Sequence, residues 1–138
     1  MKKLLLLILP VMLLASCEIY IDDEPRRRDD RNLFVGHYRI EENSDTYNVI
    51  AEYSIDIRKS TAYSNRVYID NFYDSGIEVY AVVSGDRITI PLQEVYGYEI
   101  SGRGYLYGGE IEIQYDVTDL ESYRLITDYC DAVAWRSY

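Results

Sequence analysis

The chain lacks most of what enzyme chemistry needs. Among 138 residues there is one histidine, His37, and two cysteines, Cys17 and Cys130. A zinc site needs several His or Cys ligands, so none is expected. Serine–histidine catalysis would leave His37 as the only base, and no nucleophile motif accompanies it. No glycine loop of the phosphate-cradling kind is present, and no cofactor is expected. Two cysteines make no disulfide framework. Cys130 sits in an apolar strand pattern, which reads as a buried, inert thiol. Asp22-Asp23-Glu24 and Asp128-Tyr129-Cys130-Asp131 are acidic but follow no calcium-loop pattern. Long apolar runs are missing too. The stretch from Leu4 to Leu14 is interrupted by Pro10 and falls short of the roughly 20 residues a spanning helix needs. Positive charge is scarce: 14 basic residues stand against 24 acidic ones, a net charge of −10. Such a surface repels phosphate backbones and anionic headgroups, which excludes nucleic acid as a natural partner.

What is present begins at the N-terminus. Met1-Lys2-Lys3, a short apolar core and Leu14-Ala15-Ser16-Cys17 read as a secretory signal peptide over residues 1–16. Ordinary signal cleavage favours small residues at −3 and −1, and here −3 would be Leu14. Leu14-Ala15-Ser16-Cys17 instead resembles the lipobox of bacterial lipoproteins. That resemblance implies a Cys17 that is lipidated, palmitate-type chains included, and becomes the mature N-terminus. Several acyl chains anchor stably where one does not. Loss of Lys2 and Lys3 with the signal leaves 12 basic against 24 acidic residues, or −12.

Residues 17–32 hold charge and few core formers, the composition of a flexible tether. Asp22, Asp23 and Glu24, shortly after Cys17, look like the acidic export signal that sends lipoproteins of Bacteroidota to the outer face of the outer membrane. The implied location is the outer membrane, lipid-anchored and cell-surface exposed. The alternative is a periplasm-facing anchor.

From Leu33 to Tyr138 the period is two. Val49, Ala51, Tyr53, Ile55 and Ile57 alternate with Ile50, Glu52, Ser54, Asp56 and Arg58, a strand with one wet face. Gly108-Gly109 signals a two-residue hairpin. It sets Leu106, Gly104 and Gly102 beside Ile111, Ile113 and Tyr115 on one face. Gly85-Asp86 sets Val83 and Ala81 beside Ile88 and Ile90. A three-residue loop at Asp74-Ser75-Gly76 would set Val67, Ile69 and Asn71 beside Val83, Ala81 and Val79. A four-residue loop there would turn Asp70 inward, so the shorter loop is preferred. About eight strands follow, near 34–42, 48–58, 66–73, 77–84, 87–91, 97–107, 110–118 and 128–137. The fold class is all-β. An antiparallel meander of this size tends to close into a barrel, because closure removes the edges. Gly102 and Gly104 suit a sharply bent strand. The alternative is a two-sheet sandwich.

Gly36-His37-Tyr38 is similar to the Gly-x-Trp motif that opens lipocalin and calycin barrels, with tyrosine in place of tryptophan. The phrases Asn71-Phe72-Tyr73, Ser84-Gly85-Asp86-Arg87-Ile88-Thr89-Ile90-Pro91 and Ile100-Ser101-Gly102-Arg103-Gly104 resemble small lipocalin-like lipoproteins of Bacteroidota. The resemblance implies a basic residue, Arg136 or Arg124, packed over Tyr38. It also implies a barrel that binds a small apolar or glycan ligand; the residues that would bind it are not assigned, and Tyr53, Tyr98 and Tyr115, large and on the inward face, are the candidates. The domain is shorter than a typical lipocalin, which argues against a large cavity. Sixteen tyrosines fit a β-rich fold with aromatic outer faces, including Tyr68, Tyr80, Tyr105 and Tyr107. Glu110 and Glu112 share an outer face, where carboxylates keep ordinary acidity and make poor glycosidase acids. The expected function is therefore non-enzymatic. Either a lipocalin-like envelope lipoprotein binds a small ligand, or a filled barrel docks on another envelope protein.

Overall fold

The computed structural model describes residues 28–137. Eight strands follow one 3-10 turn, Asp30–Leu33: β1 Gly36–Ser44, β2 Val49–Lys59, β3 Arg66–Phe72, β4 Ile77–Ser84, β5 Arg87–Val95, β6 Tyr98–Tyr107, β7 Glu110–Asp119 and β8 Thr127–Arg136. Each strand pairs antiparallel with the next, and β8 returns to β1, so the meander is a closed barrel rather than a sandwich.

The tight turns set the registers. Leu106 faces Ile111, Gly104 faces Ile113 and Gly102 faces Tyr115, as Gly108-Gly109 requires. The β4–β5 hairpin begins as expected, Ser84 with Arg87 and Val83 with Ile88, but pairing stops at Val82–Thr89. Ala81 therefore does not pair with Ile90. Pro91 has no N–H to donate, and the β5–β6 register shifts between Ile90 and Gln93. The Gln93 side chain replaces the missing strand contact: it donates to Tyr80 O and accepts from Tyr80 N, at 2.8 and 3.0 Å.

The β3–β4 register also differs from the expected one. Phe72 faces Ile77 across a four-residue loop, and Val67 and Ile69 face Ala81 and Val79. Asp70 stays off the core face because a bulge follows it. Asn71 takes a left-handed φ of 59° and absorbs the extra residue. Its side chain accepts from Gly76 N at 3.0 Å and donates to Ser54 O at 2.9 Å, which holds the bulge in place.

Inward side chains from all eight strands meet in one apolar cluster, including Ile40, Ile55, Val67, Val79, Ile88, Ile100, Ile113 and Ala134. Burial of this kind contributes roughly 25 cal/mol for each Å² of apolar surface removed from water. One end, the base, carries the turns after β2, β4 and β6 and both ends of the described segment. The 3-10 turn docks there, so ordered structure begins before Leu33, the boundary read from the alternation. Arg31 donates to Ser60 O and Tyr63 O at 3.0 and 2.8 Å, and Asp30 accepts from Gly85 N at 2.7 Å. Those contacts tie down residues that composition alone assigns to a flexible tether. The other end, the mouth, carries the turns after β1, β3, β5 and β7.

The motif at the start of β1 is placed as the lipocalin resemblance implies. The Arg136 guanidinium lies 5.5 Å from the centre of the fully buried Tyr38 ring and donates to its hydroxyl at 2.9 Å. It also donates to Leu33 O at 2.9 Å. Arg124, the other candidate, lies in the loop after β7 at the opposite end. An eight-stranded antiparallel barrel with this closure is compatible with a lipocalin-like fold.

A polar floor beneath a tyrosine-rimmed mouth

Strand parity puts polar groups inside the barrel near its mouth. On β1, Tyr38, Ile40, Glu42 and Ser44 all face inward; on β8, Asp128, Cys130, Ala132 and Ala134 do the same. Glu42 is only 5% exposed and Asp128 only 2%. Buried carboxylates demand donors. The Tyr53 and Tyr115 hydroxyls both donate to Glu42 Oε2. Asp128 accepts from Ser44 Oγ at 2.6 Å and from the Tyr73 hydroxyl at 2.7 Å. Four strands, β1, β2, β7 and β8, and the β3–β4 turn thus converge on two acids.

Burial raises the pKa of Glu42; the two tyrosine hydroxyls oppose that rise and the Asp128 charge adds to it. Burial, with the nearby carboxylates, pushes the hydroxyls of Tyr53, Tyr73 and Tyr115 well above the usual tyrosine range, so all three stay protonated as donors. Cys130 is buried in the same region, and its thiol is pushed up by desolvation first and by Glu42 and Asp128 next. A thiol held protonated is a poor nucleophile.

Aromatic rings surround the acids. Tyr73 meets Tyr98 edge-on at 6.2 Å and Tyr115 at 6.5 Å, and Phe72 lies 4.6 Å from Tyr115. The three tyrosines singled out from the sequence, Tyr53, Tyr98 and Tyr115, all belong to this cluster. Glu42, Ser44, Tyr73 and Asp128 complete it and were missed. Parity along β1 and β8 was the signal that could have found them.

The rim above is apolar and exposed. Tyr47, Val49, Ile50, Tyr96, Tyr123, Leu125, Ile126 and Tyr129 all stand at this end, and Tyr96 and Tyr123 are 84% and 103% exposed. Charge is segregated in the same sense. With each strand divided at its midpoint, the mouth half carries fourteen carboxylates and one basic residue, Arg124. The base half carries six carboxylates and nine basic residues among those described. The net charges are −13 and +3. Only Glu52, Asp70 and Glu78 of the mouth acids have ion-pair partners among the described residues, Arg39 and Arg58.

Two grooves, of about 780 and 640 Å³, lie on the outer wall rather than inside the barrel. Exposed Arg103, Gln114 and Asp131 line both. Their concavity follows from twist, which narrows a barrel at its waist. On the inner face a Cβ on Gly102 would stand 2.5 Å from Tyr115 Cβ, so β6 presses closely on β7.

The remaining sequence candidates lie apart from the mouth. His37 is half exposed on β1 near the base, with Nδ1 2.9 Å from Asp56. Glu112 accepts from Tyr105 on the outer wall at 2.7 Å, and Glu110 is exposed beside the β6–β7 turn. Cys17, Asp22, Asp23 and Glu24 lie outside the described residues. No family model, curated protein or solved structure matches the chain.

Proposed function

We propose that the protein is a lipid-anchored lipoprotein of the cell envelope, tethered through Cys17, that presents the acidic, tyrosine-rimmed mouth of a small lipocalin-like barrel to another envelope component. The location of the anchor, on the outer membrane with the acidic cluster Asp22-Asp23-Glu24 directing surface exposure, rests on the resemblance of the N-terminal segment. One observation carries the docking reading: exposed apolar side chains and unpaired negative charge gather at the end opposite the chain's entry. A tether entering at Asp30 leaves that end pointing away from the membrane. Exposed aromatic patches of this kind mark interaction surfaces, and tyrosine is enriched at their centres.

The barrel interior favours docking over engulfing a ligand. Packed isoleucines, valines and alanines occupy it from the base upward, whereas small-molecule pockets are clefts of roughly 300–1,000 Å³. The small-ligand reading keeps one specific support, the polar floor at Glu42 and Asp128, which confines any ligand to the mouth.

The test is site-specific photocrosslinking in intact cells. A benzophenone side chain at Tyr123, on the rim, is expected to capture an envelope protein, and the capture is expected to weaken on charge reversal by Asp119→Lys with Glu121→Lys. The same probe at Tyr107, exposed near the base, is expected to give no such product. Equal capture at both positions, or capture indifferent to charge reversal, would overturn the docking reading.

A further inference from the structure

Glu42 is a carboxylate with one oxygen to spare. Both of its hydrogen bonds fall on Oε2, and Oε1 accepts none among the described residues. No sealed-off side-chain polar atom lacks a partner there, so Oε1 is not sealed but meets accessible space. The residue as a whole is nonetheless 5% exposed. A nearly buried acid left with a vacant acceptor has a steep preference for a donor, and for a charged one most of all.

No cationic side chain among the described residues fills that role. The ion pairs among the described residues involve Asp29, Glu52, Asp56, Asp70 and Glu78, and neither Glu42 nor Asp128. Tyrosine rings stand around these acids: Tyr73 meets Tyr98 and Tyr115 edge-on, and the Tyr53 hydroxyl lies 3.4 Å from that of Tyr115. Ring faces attract ammonium groups, by about 0.5–1 kcal/mol when exposed and more when desolvated. The mouth half carries a net charge of −13, which concentrates cations in front of it.

We infer that the floor of the mouth is a seat for one ammonium group on an apolar stem, its N–H donating to Glu42 Oε1 and its stem lying among Tyr73, Tyr98 and the rim. This rests on the mouth being the recognition end. The field excludes anions. A hard metal ion is a poor occupant: calcium takes six to eight oxygens, and no group of three or more His, Cys, Asp or Glu side chains among the described residues could hold a metal ion. The ammonium has two sources with the same chemistry, a free organic amine or a lysine side chain offered by a docking protein.

The test is a titration of the full chain in detergent, followed by amide NMR signals of Glu42, Tyr53 and Tyr115. Four probes are used: 3-phenylpropylammonium, the neutral 3-phenylpropanol, the anionic 3-phenylpropanoate, and lysine blocked at both ends. The amine is expected to move these signals and to bind at least about tenfold more tightly than the alcohol. The carboxylate is expected to leave them unmoved. Glu42→Gln is expected to remove the amine's advantage, and Tyr98→Leu to weaken amine binding while leaving the amine-over-alcohol preference in place. Blocked lysine binding as tightly as the amine assigns the seat to a partner's side chain; binding about tenfold more weakly assigns it to a free amine. Equal binding of amine and alcohol at the mouth overturns the ammonium seat and leaves the mouth as a recognition end. If no probe reaches the mouth while Tyr123 still crosslinks a partner, the seat alone falls; failure of both removes the recognition end itself.

Discussion

The Tyr115 hydroxyl donates to Glu42 Oε2 from β7 to β1, joining residues 73 positions apart inside the barrel. The bond satisfies one oxygen of a buried acid and leaves Oε1 without a donor among the described residues. Burial nonetheless holds the Glu42 pKa above its ordinary value. The unfolded chain therefore gives up this proton first as pH rises. Stability linked to Glu42 is fully present below the ordinary glutamate value and lost as pH rises through the raised one. Glu42→Gln removes that loss. The melting temperature of the variant relative to wild type is expected to climb as pH rises above the ordinary glutamate value of about 4, by several degrees for about 1 kcal/mol in a domain of this size. A difference that stays flat with pH would show that Glu42 is not destabilised by charge.

Among the glycines, Gly104 lies closest to the backbone of a neighbouring strand. A Cβ built there stands 2.2 Å from Glu112 O and 3.0 Å from Ile113 Cα. The neighbours are backbone, so neither can swing aside. Gly104→Ala is expected to cost about 1–3 kcal/mol through overpacking, read by chemical denaturation. Gly108→Ala is the comparison. Its Cβ meets nothing within 4 Å, but φ is +60°, so only left-handed strain of about 1 kcal/mol applies. Equal costs would mean that β6 and β7 are not packed this closely.

The hairpins were legible because two independent signals agreed. Gly108-Gly109 fixes a loop length, and the alternation of Leu106 and Ile111 with Tyr107 and Glu110 fixes the faces. Where one residue breaks the count, alternation alone misleads. The bulge at Asn71 lets a four-residue loop coexist with an outward Asp70, and nothing short of the Asn71 backbone angle distinguishes that from a three-residue loop. Pro91 was visible, but not the Gln93 amide that replaces the lost strand contact. The 3-10 turn at Asp30–Leu33 was hidden by its charge, because its stability comes from Ser60, Tyr63 and Gly85 far along the chain. The candidate site was half legible. Tyrosine size and inward parity pointed to Tyr53, Tyr98 and Tyr115. Glu42 was not singled out and Asp128 was weighed only for a calcium-loop pattern, although β1 and β8 parity places both within.

Val83 and Val82 test the register directly. Val83 is buried opposite Ile88, while Val82 is half-buried on the outer face between Arg66 and Thr89. Val83→Asp places an unpaired charge in the apolar cluster. It is expected to cost several kcal/mol or abolish folding. Val82→Asp gains the neighbouring Arg66 guanidinium and stays solvated, so its cost is expected to remain below about 1 kcal/mol. Urea denaturation followed by far-ultraviolet circular dichroism separates the two. Equal costs would place both side chains in similar surroundings and contradict the pairing of β4 with β3 and β5.

The proposed tether would determine what the mouth can reach. Cys17 precedes the docked Asp30 by thirteen positions, and an extended chain spans at most about 3.3–3.6 Å per residue. A lipid on Cys17 would therefore hold the barrel within roughly 45 Å of the membrane, with the base toward it and the rim outward. Metabolic labelling with a fatty acid is expected to mark the wild type and not Cys17→Ser. Cys130 offers no competing site, because it is buried and its thiol is pushed well above the ordinary range. Released Cys17→Ser protein is expected to keep the melting temperature of the domain, since Cys17 precedes every strand of the barrel in sequence, and to lose membrane association on fractionation. Label retained by Cys17→Ser would remove Cys17 as the attachment point and, with it, the outward orientation proposed for the mouth.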